Sequence, residues 1–132
     1  MSKYKAVQDA IFSIFASVAW KSENIKTFPS NAPTNGEEFI RITIIPSGPG
    51  VNANSVSGLL IAEIFTQAGK GPSRAAYIAD KLDSYLARAT VPNGSTLTQL
   101  AISAMVPNGL DKDNPALTKS TFSVPFSYFG VQ

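Results

Sequence analysis

From Lys3 to about Ala19, the apolar residues Val7, Ala10, Ile11, Ile14, Phe15 and Val18 recur at intervals of three and four, while Lys5, Gln8, Asp9 and Ser13 fall elsewhere. That period gathers the apolar positions into one stripe and predicts an amphipathic helix. Trp20 closes the stripe and is expected to anchor the core. Thr27 to Glu38 is rich in Pro, Asn and Gly and reads as loop. Phe39 to Pro46, FIRITIIP, is dense in β-branched residues and is stopped by proline. It reads as a strand with Ile40, Ile42 and Ile44 on one face and the mixed set Phe39, Arg41, Thr43 and Ile45 on the other.

Ser47 to Ser55 is longer than a tight hairpin needs. It leads to a second strand within Ser57 to Gly69, antiparallel to the first, with Glu63 as its single carboxylate. Glu63 is expected at a solvent- or subunit-facing position rather than as a catalytic acid. Lys70-Gly71-Pro72 turns the chain into a second helix, for which Gly71 or Ser73 can serve as cap. Its buried stripe is expected to hold Ala75, Ile78, Ala79, Leu82, Tyr85, Leu86 and Ala89. After a turn at Val91 to Gly94, Thr96 to Val106 reads as a third strand, with Leu100, Ile102, Ala104 and Val106 on one face and Met105 on the other. Pro107 to Ser120 reads as a long polar loop. Phe122, Val124, Phe126 and Tyr128 then alternate with small polar residues in a final strand. Pro125 cannot donate a ladder hydrogen bond, so this strand is expected at an edge or locally bulged.

The sequence therefore predicts an α+β fold: one domain over residues 1–132, with a four-stranded, mainly antiparallel sheet packed with two α-helices. Ile14, Ile42, Ile64, Leu82, Ile102 and Phe126, each in mid-element, are expected to meet in one core. The length suits a single core, and an apolar fraction of 44% against 15% charged residues separates the chain from disordered ones. With so little charge, the surface is drawn from Ser, Thr, Asn and Gln. Such a surface is cheap to desolvate against a neighbour.

Chemistry narrows the picture further. Histidine and cysteine are both absent, which removes imidazole bases, thiolate nucleophiles, disulfides and Cys/His zinc sites. No spacing of carboxylates or hydroxyls asks for a catalytic pair, so no catalytic, cofactor-binding or metal-binding residue is assigned and no enzyme is expected. Asp111 and Asp113 lack the distal glutamate of a calcium loop. The segment around Gly71 lacks the spacing of a phosphate-binding loop. A net charge of +2 without a basic stripe argues against a nucleic-acid-binding module. The N-terminal apolar stretch is interrupted at helical spacing, so neither a signal peptide nor a membrane span is expected.

Four features together resemble the tail terminator proteins of long-tailed phages of the lambda type. They are the helix carrying Val7 to Val18, the strand FIRITIIP, the strand LLIAEIFTQAG followed at once by GKGPSRAAYIADKLDSYL, and the closing aromatic strand STFSVPFSYFG. The resemblance spans nearly the whole chain as an order of elements with degenerate motifs. It implies a structural virion protein: a homo-oligomeric, hexameric ring that caps the tail tube, ends its polymerisation and offers the head-joining surface. Its implied partners are further copies of itself, the tail-tube protein and the head–tail connector protein, with DNA only passing through the lumen and no membrane. Its implied place is the head-proximal end of the tail, after synthesis in the host cytoplasm. Ser47 to Ser55 and Pro107 to Ser120 are expected to reach a neighbouring subunit or the tail tube. The competing readings are another head–tail junction or tail-tube ring protein of the same virion, a small nucleic-acid-binding module and an unrecognised hydrolase.

Overall fold

The amphipathic N-terminal segment forms two helices rather than one. A computed structural model describes residues 3–29, 38–69, 72–110 and 117–130. In it α1 (Lys3–Phe15) ends before Ser17, and α2 (Val18–Lys21) starts after it. Ser17 has extended backbone and its Oγ accepts a hydrogen bond from the Trp20 amide, an N-cap that the stripe of apolar residues conceals. Val7, Ile11 and Phe15 are buried as expected, whereas Val18 is exposed because the new helix turns it outward. Trp20 is buried, stands edge-on to both Phe15 and Tyr85 with ring centroids 5.2 Å away, and donates from Nε1 to Thr27 Oγ1 at 3.0 Å.

The sheet corrects the expected fold class. The described residues form a curled, mixed sheet of seven strands rather than a four-stranded one, and three helices rather than two. Its strands are β1 (Thr27–Pro29), β2 (Phe39–Pro49), β3 (Val56–Gln67), β4 (Thr90–Asn93), β5 (Thr96–Leu100), β6 (Ala104–Leu110) and β7 (Leu117–Phe129). Their order is β1-β2-β3-β7-β5-β4, with β6 also paired to β7. Only β1 runs parallel to its neighbour, and the other pairs are antiparallel. The third helix, α3 (Pro72–Leu86), begins at its proline, and Gly71 lies outside the described residues. It buries Ala75, Ile78, Ala79, Leu82 and Leu86. With α1 and Trp20 these side chains pack on Ile40, Ile42, Leu60, Ala62, Ile64, Phe122, Val124 and Phe126, one face of the three long strands.

The missed strands have a physical cause. β4 and β6 carry Pro92-Asn93 and Pro107-Asn108-Gly109, which read as turns in isolation. Both are held extended by partners, β4 by β5 and β6 by the long strand β7. At β6 the turn chemistry survives as a bulge between Pro107 and Gly109, and Gly109 takes a φ of 87° that glycine tolerates. Val91 to Asn93 is thus strand where a turn was expected, and Thr27 to Pro29, Pro107 to Leu110 and Leu117 to Ser120 are strand where a loop was expected. Residues 111–116, with Asp111 and Asp113, lie outside the described residues.

The expected third strand is two strands laid end to end along one side of β7. Between them Ala101 donates to the Pro125 carbonyl at 2.9 Å and Arg88 donates to the Ala101 carbonyl at 3.1 Å. In an extended strand a residue's nitrogen and carbonyl point the same way, so Pro125 directs its hydrogen-free nitrogen at this break. β7 is therefore central rather than an edge, and its neighbour is interrupted where the proline has nothing to donate. The break also reverses the faces. Leu100 and Met105 turn toward the helices, while Ile102, expected in the core, is 68% exposed. Of the other expected core residues, Ile42, Ile64, Leu82 and Phe126 are buried in one cluster and Ile14 packs against it.

Candidate interaction surface

Beyond the Lys5–Asp9 pair within α1, the ion pairs of the described residues fall into two groups. Along the outer side of α3, Arg74 donates to both carboxylate oxygens of Glu38, at 3.0 and 2.8 Å, and its guanidinium lies 5.1 Å from the Tyr77 ring. One turn on, Lys81 stands 3.4 Å from Glu23, and the Tyr85 hydroxyl donates to the same carboxylate at 2.9 Å. The hydrogen bond to Glu38 holds the Arg74 guanidinium proton more tightly than usual. The field of Glu23 does the same for Lys81, and the hydrogen bond to Glu23 raises the Tyr85 hydroxyl. These contacts clip α3 to the segments before β2 and after α2, and each charge faces a partner. Among the described residues, no group of three or more His, Cys, Asp or Glu side chains stands close enough to hold a metal ion.

The second group lies on the sheet face without helices. Glu63 sits between Lys119, at 2.7 Å, and Arg41, at 3.7 Å. The Arg41 guanidinium also lies 5.2 Å from the Phe65 ring and 5.8 Å from the Phe39 ring, which stack on each other at 4.5 Å. Phe28 stands edge-on to Phe39 at 6.0 Å, and Leu117 joins this small buried cluster. Glu63, expected at a solvent- or subunit-facing position, is half-buried between Lys119 and Arg41. Arg41, Glu63 and Lys119 meet only because the β2–β3 and β3–β7 registers bring them together. One end of the face is thereby closed by aromatics and fixed charges.

The other end of that face is uncharged. Thr43, Ile45, Leu59, Ile61, Ser123 and Pro125 cover it, with Ile45 and Pro125 exposed and the rest half-buried. At the side of the sheet, β6 presents exposed apolar residues as well: Val106 is 57% and Leu110 62% exposed, with Ile102 just before the strand. Among the described residues, no strand pairs with the outer side of β6, nor with β2 beyond Ile42, where β1 ends its pairing. These two free edges, Ala104–Leu110 and 43–49, contain no charged residue. Solitary proteins commonly guard such edges with Lys or Glu, with proline and with bulges. Here only the prolines and bulges are present.

Among the described residues, the two connections expected to reach a neighbouring subunit or the tail tube make contacts within their own chain. Residues 50–55 are bound to their own chain: Asn52 Oδ1 accepts from the Asn54 amide and the Ser55 hydroxyl, Asn52 donates to the Gly130 carbonyl, and Lys3 donates to the Ala53 carbonyl. Pro107 to Ser120 is largely strand, as described above. The exposed apolar residues of β6 were missed because their segment was read half as core strand and half as polar loop.

No family model and no curated protein matches this chain. Solved structures do match it. One of them, whose name states no activity, aligns over 100% of this chain and 99% of its own with a TM-score of 0.69 and 13% sequence identity. At that identity the likeness establishes a shared fold over the full length. No helix among the described residues is long and apolar enough to cross a membrane.

Proposed function

We propose that this protein is a ring-forming structural subunit of a phage tail, of the terminator kind, which caps the tail tube by binding and makes or breaks no bond. The observation that carries this reading is that β6 and the far part of β2, on opposite sides of one sheet, present uncharged edges with no strand paired to them among the described residues; the short strands β1 and β4 are also unpaired on their outer sides. Such edges offer two different surfaces for identical copies, a heterologous contact that leaves an open end unless the copies close into a ring. The resemblance of the sequence to the terminator family supports the same reading. In the resembling family the ring has six copies, occupies the surface that the next tube subunit would use, and then receives the head connector. To act as a cap, it must bind the tube end better than another tube subunit does.

The reading is tested by adding the purified protein to tubes growing from the tail-tube subunit of the same virion. Elongation should stop at one ring per tube, without nucleotide or added metal. Phage lacking the protein should make tails of abnormal length that fail to join heads. Tubes that grow on unchanged would contradict the terminator role. Purified protein that itself polymerises into open tubes would instead identify a tube subunit.

A further inference from the structure

The two free edges differ in direction, and that difference determines how copies can meet. β2 is antiparallel to β3, β3 to β7, and β7 to β6, so β6 runs opposite to β2. A second copy in the same orientation would bring its β2 beside β6 of the first as an antiparallel pair, the helix faces of the two sheets continuing one another. We infer that β6 of one copy pairs with the Thr43–Ile45 stretch of β2 in the next, head to tail. This inference rests on the ring reading but not on what the ring binds.

The register follows from the levels of the strands. Thr43, Ile61, Ser123 and Ala104 lie across the sheet at one level. From there the free part of β2 extends toward one end of the molecule and β6 toward the other. Overlap of the two edges therefore needs a stagger, which also tilts the strands as closure of a sheet requires. A shift of about four residues, on the order of 13 Å, places Ile45 of one copy beside Val106 of its neighbour. The shift is even, so both side chains stay on the helix-free face. Each is an exposed apolar residue in the single chain.

Proline limits the contact. Pro46, Pro49 and Pro107 have no amide hydrogen to donate. With Ile45 beside Val106, Thr43–Ile45 faces Val106–Asn108 and Ala104–Val106 faces Ile45–Ser47, so Pro46 and Pro107 interrupt the ladder on either side of the central pair, and the apolar side chains around it must supply much of the attraction. One such contact is weak. A closed ring holds every copy at both edges, so closure rather than pairing gives the stable assembly.

The absence of cysteine permits a direct test by disulfide trapping with Ile45→Cys and Val106→Cys. Within one chain these positions are separated by β3 and β7, three strand spacings or about 14 Å across the sheet, and by about 13 Å along the strands, beyond the Cα separation of about 7 Å that a disulfide bridges. Oxidising an equimolar mixture of the two single variants should give a heterodimer as the main product, and the double variant should give a ladder ending in a closed ring. Val106→Lys should weaken self-association at least tenfold in sedimentation. Val106→Cys linking chiefly to itself would reveal a two-fold dimer and overturn the inference. So would a ring that forms without the Ile45–Val106 link, a chain that stays monomeric at millimolar concentration, or unchanged association of Val106→Lys. Linked rings that fail to stop tube growth would reject the terminator reading and leave this pairing intact. Rings that cap tubes without the link would do the reverse.

Discussion

The two faces of the sheet answer to different demands. On the helix-covered face, Ile42, Leu60, Ile64, Phe122 and Val124 meet Ile78 and Leu82, and every one of these side chains is sealed from water. On the other face and along β6, residues equally apolar in chemistry remain in water: Ile45, Ile102, Val106 and Leu110. The same backbone ladder supports both sets, so hydrophobicity alone does not set burial; the presence of a second layer does. The first face explains why the chain folds. The second leaves apolar area unused by folding, where association can draw on it.

The largest effect expected from this contrast is on the covered face. Leu82→Ala should lower unfolding stability by about 2–5 kcal/mol, measured by urea denaturation, because the side chain is fully enclosed between α3 and the sheet. A change near zero would mean that α3 does not pack as described. On the uncovered side the effect should be far smaller: Ile102→Ser should change stability by no more than about 0.5 kcal/mol, since Ile102 stands in the break between β5 and β6. A loss as large as that of Leu82→Ala would erase the distinction between the two regions.

Alkaline titration sharpens the contrast from the charged side of α3. The Tyr85 hydroxyl and the Lys81 ammonium both have raised pKa values in the folded chain, through Glu23. A raised folded pKa means that the folded state keeps its proton where the unfolded chain has lost it. The stabilisation is therefore complete below the unfolded values of about 10 and is lost as pH rises through the folded ones. Tyr85→Phe should remove part of the stability lost above about pH 10, read from melting temperature against pH. An identical alkaline slope in the variant would remove Tyr85 from that account.

The parts of the fold legible in the sequence are those whose order is local. The stripe from Ala75 to Leu86 and the alternation in Phe39–Ile45 and Phe122–Tyr128 repeat over enough residues to define both element and face. β4 and the second half of β6, from Pro107, are illegible because Pro92, Pro107 and Gly109 speak for turns, and only pairing with β5 and β7, remote information, overrides them. Pro125 did carry a true signal, but it marked a break in the neighbouring strand rather than the edge of its own. The interaction surface was less legible still. Arg41, Glu63 and Lys119 lie on three strands, and nothing in their spacing announces that they share one cluster. Ile102 and Val106 look like core residues until the break at residues 101–103 turns the chain over.

The central claim is that identical copies close through two different edges, and the mass of the purified protein in solution tests it most directly, with electron microscopy of the same sample. The account predicts particles of one size, rings with a central opening, at six times the 14.0 kDa of a single chain. A protein that remains at the mass of one chain, or stops at two-fold dimers, at every concentration would contradict it.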